Sequence, residues 1–106
     1  MNQITLLGRL TADIDLTLAN QTSYARFVLA VDRDRSEAVD FVQCVAFRKL
    51  AEALAHNCHK GRQLLVTGHL QISRKNGKSY YSVISDKIEF LQKPKAKAKE
   101  AEEAPF

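Results

Sequence analysis

Phe41 and Phe47 bracket the stretch FVQCVAF, and two cations, Arg48 and Lys49, follow it at once. A flat ring stacks on the face of any nucleobase, and a guanidinium or ammonium group neutralises phosphate. Rings interleaved with cations are therefore the chemistry of single-strand nucleic-acid binding. As a strand, with its period of two, this stretch puts Phe41, Gln43, Val45 and Phe47 on one face and Val42, Cys44 and Ala46 on the other. The second set is small and wholly apolar, which suits a wall against a core. The first is larger and contains an amide, which suits a wetted groove. Further along, Arg74, Lys75 and Lys78 surround Asn76-Gly77, and Tyr80 and Tyr81 follow. In a regular strand one of two adjacent tyrosines points outward, and the sequence leaves open which. A blander reading makes Phe41 and Phe47 core rings and the hairpin cations ordinary surface; the pattern alone does not choose.

Catalysis needs groups that converge. The acids Asp13 and Asp15 fall in one loop, and Asp32, Asp34, Glu37 and Asp40 in another. Paired carboxylates can hold a metal or move a proton, but loop acids are ordinarily solvated. His56, Cys58 and His59 have the wrong spacing for a closed zinc site, and Cys44 lies in a strand with no ligand beside it. Cys58 is expected to pack under a helix, with His56 and His59 on the surface. No metal, no cofactor and no enzymatic activity is expected.

The elements that carry these residues are mostly strands. Ile4 to Leu10, Tyr24 to Val31, Phe41 to Phe47, Leu64 to Ile72 and Tyr80 to Leu91 are rich in branched and aromatic side chains. Arg48 to Cys58 (RKLAEALAHNC) consists of good helix formers, with Leu50, Ala51, Leu54, Ala55 and Cys58 along one face. Lys60-Gly61 offers a helix end, and Asn76-Gly77 a tight hairpin turn, because both residues tolerate positive φ. Three strands, a helix and a two-strand hairpin give an all-β fold. It reads as a five-stranded OB-fold barrel with one helix between the third and fourth strands.

Residues 1–91 read as the domain and residues 92–106 as a flexible tail, because KPKAKAKEAEEAPF has no apolar periodicity to bury. The body carries 12 Lys and Arg against 9 Asp and Glu, so it is mildly basic and compatible with a polyanion. No apolar run approaches the roughly 20 residues of a membrane span, and the N-terminus has no signal-peptide pattern. Two cysteines without a paired framework suit a reducing cytosol.

The chain resembles the bacterial single-stranded DNA-binding proteins along residues 1–91. The resemblance rests on NQITLLGRLTADIDL, FVLAVDR, DFVQCVAFRKLAE and KGRQLLVTGHLQ, and on Pro105-Phe106 after an acidic run. It implies a base-stacking role for Phe41, an aromatic DNA contact at Phe47 and a basic groove position at Lys49. It sets Arg9, Gln43, Arg48, Arg74, Lys75, Lys78 and Tyr80 in the same DNA-binding set. It implies a cytoplasmic, nucleoid-associated homotetramer that protects single strands in replication, repair and recombination. The tip Glu102, Glu103, Ala104, Pro105 and Phe106 would dock DNA-processing proteins, offering a ring and a carboxylate together.

The chain departs from the family's pattern in lacking tryptophan, in carrying Arg35 and Gln43 at positions often aromatic and basic, and in a hairpin cut to its turn. Two rivals remain: an assembly factor like the dimeric primosomal replication protein N, and an OB-fold nuclease, for which acids would have to gather around a metal.

Overall fold

In the computed structural model, which describes residues 1–91, strand alternation decides what faces the core. The elements are β1 (Ile4–Leu10), β2 (Leu16–Ala19), β3 (Thr22–Asp32), β4 (Val39–Phe47), α1 (Arg48–Asn57), β5 (Gln63–Lys75) and β6 (Lys78–Phe90). β4 buries Cys44 and Ala46 and exposes Phe41, Gln43 and Phe47. β3 buries Ala25, Phe27 and Leu29 and turns Tyr24, Arg26 and Val28 to the other face. Leu10, Leu64, Val66, Val83 and Ile88 complete the core with Ala51 and Leu54 of α1 and with Cys58.

Pairing closes the strands into a ring. β3 and β4 run antiparallel from Tyr24↔Phe47 to Asp32↔Val39. β5 and β6 form a long hairpin, and β1 lies antiparallel to β5 from Ile4↔Gly68 to Arg9↔Gln63. Two short seams complete the circuit: Arg9 and Leu10 of β1 against Ala30 and Leu29 of β3, and Cys44 and Val45 of β4 parallel to Val83 and Ile84 of β6. The resulting order β1–β3–β4–β6–β5–β1 is an OB-fold barrel. The parallel seam follows from the helical crossover, since α1 separates β4 from the β5–β6 hairpin.

α1 packs on β3 and β4. Ala25 and Ala46 are paired across those strands and fully buried, and their small side chains leave room for Ala51 and Leu54. The strand passes directly into the helix through Arg48, whose φ of 58° is left-handed. A non-glycine residue there is strained by about 1–2 kcal/mol. The helix stops at Asn57, next to the expected bound at Cys58, and Lys60-Gly61 is not its end. Cys58 instead leaves in extended conformation and is buried, its N–H donating to the Leu54 carbonyl at 3.0 Å. Gly61 is left-handed, at φ 93°, but serves the connection to β5, where its N–H donates to the Leu10 carbonyl at 2.9 Å.

One strand goes beyond the sequence expectation. That expectation has no strand between Leu10 and Tyr24, whereas Leu16–Ala19 forms β2, an edge ribbon on β3. The ring itself uses five strands, and β2 lies outside it. The turn Asn20-Gln21 has φ of 50° and 65°, the two left-handed residues of a type I′ hairpin. Asn76-Gly77 makes the same kind of turn, with φ of 53° and 78°, and Lys75 pairs with Lys78 across it. The expected flexible tail and the tip Glu102 to Phe106 lie outside the described residues.

Candidate nucleic-acid interface

Register assembles the outer face of the barrel. Tyr24 lies beside Phe47, Arg26 beside Val45 and Val28 beside Gln43. Val45 in turn adjoins Ile84 of β6, and β5 extends the face through Gln71↔Ser82 and Ser73↔Tyr80. Together they line an open groove of about 1130 Å³, which Arg74 and Lys75 also border. Beside it, where β4 and β6 diverge past their short seam, a slot of about 410 Å³ opens between Phe41 and Gln43 on one side and Tyr80 and Tyr81 on the other.

The rings are presented to solvent. Phe41 is 68% exposed and Phe47 is 42% exposed. This removes the reading of either as a core ring. Tyr80 and Tyr81 are both exposed; Tyr80 borders groove and slot, whereas Tyr81 borders only the slot. The hairpin bends at a bulge between Thr67 and Gly68. Only glycine fits at Gly68, because a Cβ there would run into the Ile84 backbone carbonyl.

The six cations expected at the site fall into three groups. Arg74 and Lys75 line the groove, and neither forms an ion pair among the described residues. Arg48, Lys49 and Lys78 are exposed beyond its lining, the first two directly after Phe47 and the third at the hairpin tip. Arg9 is elsewhere: its Nη1 lies 3.5 Å from an Asp32 carboxylate oxygen, outside the groove lining. A phosphate would have to compete with that carboxylate.

Outside both linings, Arg33 clamps Asp40, the residue before Phe41. Its Nε donates to both carboxylate oxygens at 3.1 Å and its Nη2 to one at 2.9 Å. The hydrogen bonds hold the Asp40 carboxyl below its ordinary range and push the Arg33 guanidinium up. Asp13, in the first loop, accepts the Lys60 backbone N–H at 2.8 Å, so it ties that loop to the connection between α1 and β5.

Burial pushes the Cys44 thiol up to about 12 and raises that of Cys58 as well. Both stay protonated at neutral pH and are poor ligands or nucleophiles. His56 and His59 are exposed.

Two groove residues escaped the sequence reading. The Tyr24 ring lies 6.4 Å from that of Phe47, centroid to centroid, inclined by 43°. The Arg26 guanidinium carbon sits 5.7 Å from the Tyr24 centroid. Their signal was present in YARFVL, where Tyr24, Arg26 and Val28 alternate with three apolar residues as Phe41, Gln43, Val45 and Phe47 do in the next strand.

An OB barrel with a cationic, ring-lined groove on its outer face is the architecture on which single nucleic-acid strands are bound. The chain belongs to the single-strand binding protein family, whose model matches residues 1–91. It is 41% identical over 102 residues to a single-stranded DNA-binding protein of Fusobacterium nucleatum, a match covering 85% of this chain and 66% of that one. It is 45% identical over 74 residues to one from Clostridium perfringens, covering 67% and 49%. The crystal structure of wild-type single-stranded DNA binding protein from Thermus aquaticus superposes with a TM-score of 0.74 at 34% identity, over 88% of this chain and 41% of that one. The chain thus spans about two thirds, half and less than half of these three proteins.

Proposed function

We propose that this chain binds single-stranded DNA with little regard to sequence, laying it across the outer face of β3, β4 and β6. The observation that carries the proposal is the exposure of Phe41 and Phe47 on one face of β4, beside cations free of carboxylate partners among the described residues. Stacking of bases on rings is worth about 1–3 kcal/mol per base. Release of counterions from phosphate adds a salt-dependent term. Duplex is disfavoured, because its bases are stacked inward and cannot reach the rings.

The roles that follow are protection of single strands during replication, repair and recombination, in the cytoplasm. Arg9, Gln43, Arg48, Lys49, Arg74, Lys75, Lys78 and Tyr80 complete the proposed contact set with the two phenylalanines. Glu102 to Phe106 is the proposed docking segment for DNA-processing proteins. A homotetramer is the proposed assembly; a dimer in solution would favour the primosomal reading instead.

Fluorescence anisotropy of a labelled oligothymidylate tests the core of this reading. Single strand should bind tightly, with affinity falling steeply as salt rises. Equal-length duplex should bind far more weakly, and the oligonucleotide should remain intact after incubation with Mg²⁺. Comparable affinity for duplex would overturn the proposal, and cleavage would favour the nuclease.

A further inference from the structure

We infer that Tyr24, Arg26 and Phe47 form a second station for the bound strand, in which Tyr24 stacks a base and Arg26 takes the adjoining phosphate. The inference rests on the single-strand reading above and extends it to two residues that reading does not use.

The geometry supports a station separate from the one at Phe41. Phe41 and Phe47 are six residues apart on one strand, so the two ends of the face lie roughly 20 Å apart at about 3.3 Å per residue. Phe41 borders the slot with Tyr80 and Tyr81. Phe47 borders the groove with Tyr24 and Arg26. Between them Gln43 and Val45 supply no ring. A strand crossing the face therefore meets rings at its two ends, several nucleotides apart.

Tyr24 is only half-buried, although its strand neighbours Ala25 and Phe27 are buried. It is held from two directions, by Phe47 across the strand pair and by the Arg26 guanidinium along its own strand. Its orientation is thus set before any ligand arrives, which limits the ordering entropy that binding must overcome. The 43° between the rings means that one base cannot lie flush against both. Each ring takes its own base, and consecutive bases must splay. That geometry suits a flexible single strand and excludes a stacked duplex.

Arg26 forms no ion pair with a described carboxylate. Its guanidinium is planar and weakly hydrated, so it can remain near the ring while donating to a phosphate oxygen. A purely structural role for the trio would stabilise β3 on β4 and leave DNA affinity untouched.

The chain has no tryptophan and three tyrosines, so Tyr24, Tyr80 and Tyr81 carry its intrinsic emission. The variant Tyr80→Phe/Tyr81→Phe keeps all rings and leaves Tyr24 as the reporter. Titration with unlabelled oligothymidylate should change its emission in step with saturation, measured separately by anisotropy of a labelled strand. Unchanged Tyr24 emission at full saturation overturns the inference while leaving single-strand binding intact. Failure of the wild-type protein to saturate at all overturns the underlying reading instead.

Two further variants give the size of the effect. Tyr24→Leu, checked for folding by circular dichroism, should weaken binding by about 5- to 150-fold, the loss of one base–ring stack, and Tyr24→Phe should restore it. Arg26→Gln should lower the slope of log affinity against log salt by about 0.7, one phosphate contact. A folded Tyr24→Leu protein with wild-type affinity, or an unchanged slope in Arg26→Gln, refutes the corresponding half of the station.

Discussion

Truncating Phe41 to alanine separates what the ring does for the fold from what it does for a bound strand. Complete burial of a phenylalanine side chain is worth about 1.5–3 kcal/mol. Phe41 keeps 68% of its surface in water. Truncation therefore removes roughly a third of that burial, about 0.5–1 kcal/mol. If a base stacks on the ring, binding loses about 1–3 kcal/mol. Phe47 makes the useful contrast, since it is 42% exposed and pairs with Tyr24. Its truncation removes more burial and an aromatic contact worth about 0.5–1.5 kcal/mol, so Phe47→Ala should destabilise the fold by about 1.5–3 kcal/mol. The two variants should thus differ in stability and resemble each other in lost affinity. Urea denaturation and anisotropy titration at one salt concentration measure both quantities. A folded Phe41→Ala protein with wild-type affinity would refute the stacking role, and one that unfolds at room temperature would refute the burial estimate.

Replacing Arg74, Lys75 and Lys78 together by alanine should lower the salt slope of binding by about 2 if each side chain neutralises one phosphate; an unchanged slope in salt titrations moves the DNA path away from the hairpin. Cys44, held protonated by burial, has a folded pKa of about 12, above the thiol's unfolded value. Its contribution is complete below that unfolded value and is lost as pH rises toward 12, by up to about 1.4 kcal/mol per pH unit. Alkaline denaturation of Cys44→Ala should therefore be shallower than that of the parent protein. At the start of α1, Arg48→Val should destabilise the protein by forcing a β-branched residue to φ 58°. Arg48→Gly should unfold at nearly the parent urea midpoint, relieved strain offsetting the greater freedom of glycine in the unfolded chain.

How much could be read from residues alone depended on whether a signal was local. The β4 face was legible because large and small side chains alternate in FVQCVAF, and the final hairpin because Asn-Gly names its turn. β2 was not. Its four residues are all exposed, so no alternation marks them, and its turn places Gln21, not a typical turn residue, at positive φ. The helix ends beside its expected bound at Cys58, but Gly61 does not end it. Gly61 is left-handed as its type suggests, but it answers to the Leu10 carbonyl on a distant strand. Arg9 illustrates the same limit at the site, since its carboxylate partner Asp32 lies beyond a whole hairpin in sequence. Tyr24 and Arg26 were a different kind of miss: their alternation was as clear as that of β4.

The short seam between β4 and β6 links the fold to the function proposed for it. Parallel pairing there is confined to Cys44↔Val83 and Val45↔Ile84. Toward the start of both strands the backbones part, and the slot between Phe41 and the two tyrosines opens in the gap. A longer seam would have paired those backbones and closed the slot. Stability does not require the extra pairs, because Cys44 and Val83, which face each other at the seam, are already buried in the core. β4 can therefore keep its small residues in the barrel wall and turn its rings outward, and the β5–β6 hairpin can reach past the barrel with Tyr80 beside the groove. The face proposed to bind is thus largely separate from the face that folds, with Phe47, which also packs on Tyr24, belonging to both. Other substitutions on the outer face of β4 and β6 should move affinity first, and those on the inner face should move stability first.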